Sequence, residues 1–205
     1  MPAPYVELHC HSNFSFLDGG SHPAELAAQA AELEMPALAI TDHGGVYGAV
    51  KFLQACRKLG VKPIIGSALE VDGGEMILIA RNLRGYSNLC RLLSLAHADQ
   101  PKGEARTKLA TVAAHKGDLF YLSATDDEMR VHDMMDALGR ENVFVELHHH
   151  LRPEDRWVVE GRAAGTARER PRHPGASGHC LRPRPPGTRS LPARSRAPKR
   201  VGLRP

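Results

Sequence analysis

Ala37-Leu38-Ala39-Ile40-Thr41-Asp42-His43-Gly44-Gly45 decides how this chain is read. Four apolar residues and a β-branched threonine make a short buried strand, and an acid, an imidazole and two glycines follow at its carboxyl end. In α/β sheets and barrels, reactive side chains collect at that end of the strands. Asp42 has two compatible readings there, as a cap for the next helix and as a partner orienting His43. Forward of this stretch, Val46, Val50, Leu53 and Leu59 recur at helical spacing, and Gly60 closes the helix. Behind it, Ser21 caps a helix with Pro23 in its first turn, Leu26, Ala30 and Leu33 share one face, and Pro36 helps stop it. Residues 5–10, 62–65 and 68–71 read as further strands, and Asp72-Gly73-Gly74 as a hairpin turn into a strand over 76–80. A helix over 85–98 turns Leu89, Leu92, Leu93 and Ala96 inward, followed by a polar loop to about residue 108. Strands over 119–122 and 143–147 flank a helical pattern over 126–138. This alternation predicts an α/β fold with a largely parallel sheet, open or closed into a barrel.

Charge divides the chain. Residues 161–205 hold 12 of its 27 Lys and Arg but only one of its 23 acids, Glu169, which leaves residues 1–160 at a net charge of −7. The acidic body argues against nucleic-acid affinity of its own and suits a domain that gathers carboxylates and imidazoles around cations. The tail has eight of the fifteen prolines, eleven arginines and no Phe, Trp or Tyr. Such a segment buries too little apolar surface to offset its chain entropy, so a disordered basic tail is expected over 161–205, after a domain over 1–160. A basic arm for nucleic acid is one account of this tail, and GC-rich DNA translated out of frame is the favoured one. The codons for Arg172-His173-Pro174-Gly175-Ala176 are compatible, one base out of register, with a strand-like Gly-Ile-Pro-Val-Leu. Cys10, Cys56, Cys90 and Cys180 form no CxxC pair or disulfide framework, and neither a signal peptide nor a membrane-length apolar run is present. A cytoplasmic protein with no membrane partner is expected.

Several residues point to a cation site. His9 and His11, two apart near the end of the first strand, leave it on one face and can share or bridge cations, while Cys10 points the other way into the core. Asp18 lies in the loop that follows, and its bland reading is ordinary turn chemistry. Glu70 stands among apolar strand residues, where a carboxylate needs a cation or another partner. His9, His11, His43, Asp18 and Glu70 thus come from successive strand ends. In the run His148-His149-His150, strand geometry allows only His148 and His150 to share one site, and a partly exposed strand end is the favoured reading.

Leu8-His9-Cys10-His11-Ser12, the loop with Asp18-Gly19, Ala39-Ile40-Thr41-Asp42-His43-Gly44 and the strand with Glu70 resemble the PHP (polymerase and histidinol phosphatase) family. Gly85-Tyr86-Ser87-Asn88-Leu89-Cys90-Arg91-Leu92 and Val145-Glu146-Leu147-His148-His149-His150 resemble its subgroup at the start of bacterial C-family DNA polymerase III alpha subunits. The run over 147–155 is most similar to the error-prone members. The resemblance covers about residues 4–160 and implies a distorted (β/α)7 barrel, incomplete here, that binds divalent metal ions (Zn, Mn or Fe) at its strand ends. It implies His9, His11, Asp18, His43 and Glu70 as ligands, with Glu75 standing where the family has a histidine. It also marks two departures. A Cys or His expected just after Ser123 is replaced by Ala124-Thr125-Asp126, and the late Asp-x-His motif falls where the tail stands. Implied activity is metal-assisted phosphoester hydrolysis, with DNA and polymerase subunits as partners only through an intact parent. A free-standing phosphatase and an inactive scaffold are the alternatives.

Overall fold

The computed structural model describes residues 5–123 and 127–146. These belong to one compact unit. His148, His150, the boundary expected at residue 160 and the basic tail lie outside the described residues. In chain order the elements are α1 (Pro23–Glu32), β1 (Ala37–Ile40), α2 (Ala49–Leu59), β2 (Lys62–Val71), β3 (Gly74–Ala80), α3 (Leu83–Ala98), β4 (Arg106–Thr107), α4 (Leu109–Ala114), β5 (Leu119–Ser123), α5 (Glu128–Leu138) and β6 (Val143–Val145).

The described strands form one sheet in the order β1-β2-β3-β5-β6, not closed on itself, with β4 beside the far half of β2. The expected α/β alternation is present, but the sheet is mixed rather than largely parallel. β1 runs parallel to β2, and β5 to β6, whereas β3 is antiparallel to both its neighbours. The cause is the Asp72-Gly73 turn, with φ of +47° and +77°, which makes the two-residue hairpin that a tight reversal requires. The two strands read at 62–65 and 68–71 fuse into the ten-residue β2, which pairs with β1 in its first half and with β3 in its second. The first strand, by contrast, shrinks to a bridge between Glu7 and Leu38, supported by bonds from Ala39 N to Glu7 O and from Thr41 N to Cys10 O, both 2.9 Å.

Helix phases were only partly legible. In α2 the buried stripe is Ala49, Phe52 and Cys56, and Val50 is 64% exposed, so Phe52 and two small residues rather than the large aliphatic ones set the inward face. Helix α1 starts one residue later than expected: His22 is its cap, and the Glu25 carboxylate accepts from the His22 N–H at 2.7 Å. Gly60, at φ +76°, ends α2 as the sequence predicts. In α3, Leu89, Leu92, Leu93 and Ala96 are all buried, and Asn82 caps the helix by accepting from Gly85 N at 3.0 Å. Gly85 is required there, because a Cβ would stand 2.0 Å from Asp118 O. β4 and α4 arise in and just after the stretch read as a loop; both are too short to leave a period in the sequence.

Three apolar clusters follow from these phases. The largest joins α3, α4 and α5 to one sheet face through residues such as Leu78, Leu92, Tyr121, Met134 and Leu138. A second packs α1 and α2 on β1 around Phe52 and Leu38, and a small third cluster, Ala68, Ile77, Ile79 and Leu122, lines the opposite sheet face. Truncating Phe52 to alanine would cost about 3–5 kcal/mol, and Leu92 about 2–5 kcal/mol. Among the described residues, no helix is long and apolar enough to cross a membrane.

Candidate metal centre

The cluster is assembled where the first segment, the β1–α2 turn and the β2–β3 hairpin meet. Asp42 is 2% exposed. Its carboxylate accepts from Ser12 N, Ser12 Oγ and Ser15 Oγ, each at 2.7 Å. In place of the direct contact expected between Asp42 and the His43 ring, a relay reaches the main chain: the His43 backbone N–H donates to Ser15 Oγ at 3.1 Å, and Ser15 Oγ donates onward to Asp42. The turn itself is pinned from behind. Ser67 Oγ donates to Asp42 O at 2.8 Å, Gly44 N to Ala68 O at 2.8 Å, and His97 Nε2 to Gly44 O at 2.7 Å. Gly19 closes the loop under Ser12, where a Cβ would lie 2.0 Å from Ser12 O.

His9, His11, Asp18, His43 and Glu75 come together. His9 Nε2 and His11 Nε2 face each other at 3.1 Å, and the His11 and His43 rings lie 4.2 Å apart between centroids. Asp18 Oδ2 contacts His11 Nδ1 and lies 3.1 Å from His43 Nε2. Glu75 reaches His43 Nδ1 at 3.4 Å and His9 Nε2 at 3.9 Å. Donor atoms of His11, Asp18 and His43 all fall within 4.8 Å of one another.

Glu70 departs from its expected place. It is a cross-strand partner of Glu75, so both side chains leave the same sheet face, yet its carboxylate is exposed and pairs with Arg106 Nε at 3.0 Å. Two like charges directly opposite repel, and Arg106, its neighbour on β4, offsets this. Ala68, one pleat earlier, is the residue that bridges to His43. The contact of β2 with the Asp42-His43 turn thus falls on an alanine.

Glu146 is the site residue that sequence reading missed. Its two carboxylate oxygens lie 3.0 and 2.9 Å from His9 Nδ1. The available signal was an acid at the carboxyl end of the strand Phe144-Val145, the same placement that drew attention to Asp42. This bond raises the His9 pKa above its ordinary value against the opposing effect of burial. Asp18 is held below the usual carboxylate range, first by His11 and then by His43. Cys10 turns away and packs against the cluster on α1 and α2, and burial pushes its thiol up to about 11.

The donor set fits divalent cations. With each Nδ1 turned to a carboxylate, the two facing Nε2 atoms present lone pairs to each other, an arrangement a shared cation relieves. A tetrahedral ion with bonds of about 2.0–2.1 Å separates two ligand nitrogens by roughly 3.3 Å, close to the spacing found.

Fold and site together define a class: a mixed α/β domain that gathers imidazoles and carboxylates where its strands end. The fold is shared with a protein from Bifidobacterium adolescentis named for a proposed metal-dependent phosphoesterase activity, at a TM-score of 0.54 and 19% identity over 81% of this chain and 85% of that one. The chain belongs to the PHP domain family, which matches residues 7–150. It is homologous to error-prone DNA polymerases. It is 36% identical over 176 residues to one from Anaeromyxobacter sp. (strain K), covering 78% of this chain and 16% of the relative. With one from Mycolicibacterium paratuberculosis it shares 35% over 180 residues, covering 74% and 16%. The chain thus spans about a sixth of the length of these relatives.

Proposed function

We propose that this chain is the PHP domain of an error-prone-type bacterial DNA polymerase III alpha subunit, and that His9, His11, Asp18, His43 and Glu75 hold divalent cations. The observation that carries the metal reading is the 3.1 Å approach of two imidazole Nε2 atoms whose Nδ1 atoms are both engaged by carboxylates. Zn, Mn and Fe all suit imidazole and carboxylate donors. When bound, such cations supply polarisation of a phosphoryl group and a lowered pKa for water, the chemistry of phosphoester hydrolysis. The residues divide the remaining work. His9 and His11 are shielded, whereas Asp18, His43 and Glu75 are about half exposed and leave their side open to a substrate. Asp42 holds the loop that presents Asp18. DNA and other polymerase subunits would be partners of an intact parent.

A second reading, an inactive scaffold, is favoured by the diversion of Glu70 to Arg106. Calorimetric titration of the chelator-stripped full chain with Zn²⁺ and Mn²⁺, paired with turnover of p-nitrophenyl phosphate, separates the readings. Saturable binding that His11→Ala weakens at least tenfold supports the metal centre, and turnover in addition marks a working phosphoesterase. Absence of binding defeats the proposal and leaves the scaffold.

A further inference from the structure

We infer that Glu146 is the positioning residue for His9, fixing the proton on Nδ1 and so turning an unprotonated Nε2 toward His11. The inference deepens the metal reading above and rests on it for its purpose, though not for its geometry. A carboxylate accepts and cannot donate, so a neutral His9 bonded to Glu146 carries its proton on Nδ1. Nε2 then keeps its lone pair, and it is this atom that lies 3.1 Å from His11 Nε2.

Three features make the contact more than a chance surface pair. Both side chains are shielded, at 13% and 12% exposure, so water competes little for either. Both carboxylate oxygens are within reach of the same nitrogen, which restricts rotation of the ring about its own bond to the chain. Glu146 is itself anchored, because its N–H donates to Ser123 O at 2.9 Å and extends the β5–β6 ladder one residue beyond the end of β6. The bond joins positions 137 residues apart and ties β6 to the first segment of the chain. Asp18 plays a different part at His11. It is half exposed and also reaches His43, so it serves as a candidate ligand, whereas Glu146 acts through the ring it orients. Carboxylates that hold a ligating imidazole by its second nitrogen raise its basicity and fix its orientation, and removing them weakens metal binding by about 10–100-fold.

The test uses the full chain, wild type beside Glu146→Ala, Glu146→Met and Glu146→Gln, with two readouts. Long-range ¹H–¹⁵N spectra of the metal-free proteins at mildly alkaline pH report which ring nitrogen of His9 carries the proton. Zn²⁺ titration reports affinity. In the wild type His9 is the Nδ1–H tautomer. Glu146→Ala shifts it toward Nε2–H and lowers Zn²⁺ affinity by about 10–100-fold. Glu146→Gln, close in size and still able to accept through its amide oxygen, keeps most of the tautomer and loses less affinity, whereas Glu146→Met, similar in size without the acceptor, shifts it as alanine does and serves where the alanine variant fails to fold. A His9 tautomer indifferent to loss of the acceptor in Glu146→Ala or Glu146→Met, or a wild type already in the Nε2–H form, overturns the inference. A tautomer that shifts as expected while even the wild type binds no Zn²⁺ upholds Glu146 as the orienting group and defeats the metal reading instead.

Discussion

The loop over residues 12–19 and the hairpin of β2 and β3 both border the cluster, and they are held in different ways. The loop has almost no regular structure and is fixed from within, by the buried Asp42 carboxylate with its three 2.7 Å bonds and by the close approach of Gly19 to Ser12. The hairpin is fixed by its ladder, and its two acids are solvent-facing groups whose directions are set by what lies across the strand. Placement of Asp18 therefore depends on buried polar groups that are costly to disturb. Placement of Glu75 depends on register, and its side chain can be changed with little effect on the fold.

The largest effect is expected from Asp42→Ala, which leaves Ser12 N and both serine hydroxyls without their acceptor. A loss of about 4 kcal/mol in urea unfolding is expected, with a smaller loss for Asp42→Asn. A variant as stable as the wild type would erase the contrast between loop and hairpin. Gly19→Ala comes next, since its Cβ would require backbone movement at Ser12; about 2 kcal/mol in the same assay is expected, together with weaker Zn²⁺ binding through a displaced Asp18.

In the hairpin, Glu75→Gln and Glu70→Gln should each change stability by less than about 1 kcal/mol, because both groups are exposed. They should differ in Zn²⁺ titrations, where Glu75→Gln weakens binding by about tenfold and Glu70→Gln leaves it unchanged. The smallest effect concerns pH. Asp18 has a depressed folded pKa, so its contribution to stability is present above the unfolded value of about 3.9 and is lost as pH falls through the folded value. Asp18→Asn should remove that contribution, lowering the stability of the metal-free protein slightly above about pH 4 and flattening its fall below that pH.

The same contrast explains what the sequence disclosed. His9-x-His11 and Asp42-His43 are local patterns, and period-two geometry at the end of a strand suffices to place their side chains. The α/β class was legible for a similar reason, since strand-like and helical periods alternate along the chain. The hairpin at Asp72-Gly73-Gly74 was legible as well, and with it the reversal of β3 against β2; its second antiparallel pairing, with β5, was not, because no local pattern links strands about 40 positions apart. Glu70 was misplaced because its fate depends on Arg106, 36 positions later, which a two-residue strand brings alongside. Glu146 was missed because its partner His9 is 137 positions away and no local period links them. Val50 and Leu59 mimicked a buried face beside the stripe that Phe52 and Cys56 occupy.

The central claim is that divalent cations sit among His9, His11, Asp18, His43 and Glu75. Paramagnetic broadening by Mn²⁺, added in substoichiometric steps to the ¹⁵N-labelled full chain, tests it most directly. Early and selective loss of the His9, His11 and His43 imidazole signals, with the amide of Glu75 following before that of Glu70, is the predicted result. Broadening that spreads at once over exposed acids such as Asp133 and Asp136, with the three imidazoles unaffected, would contradict it.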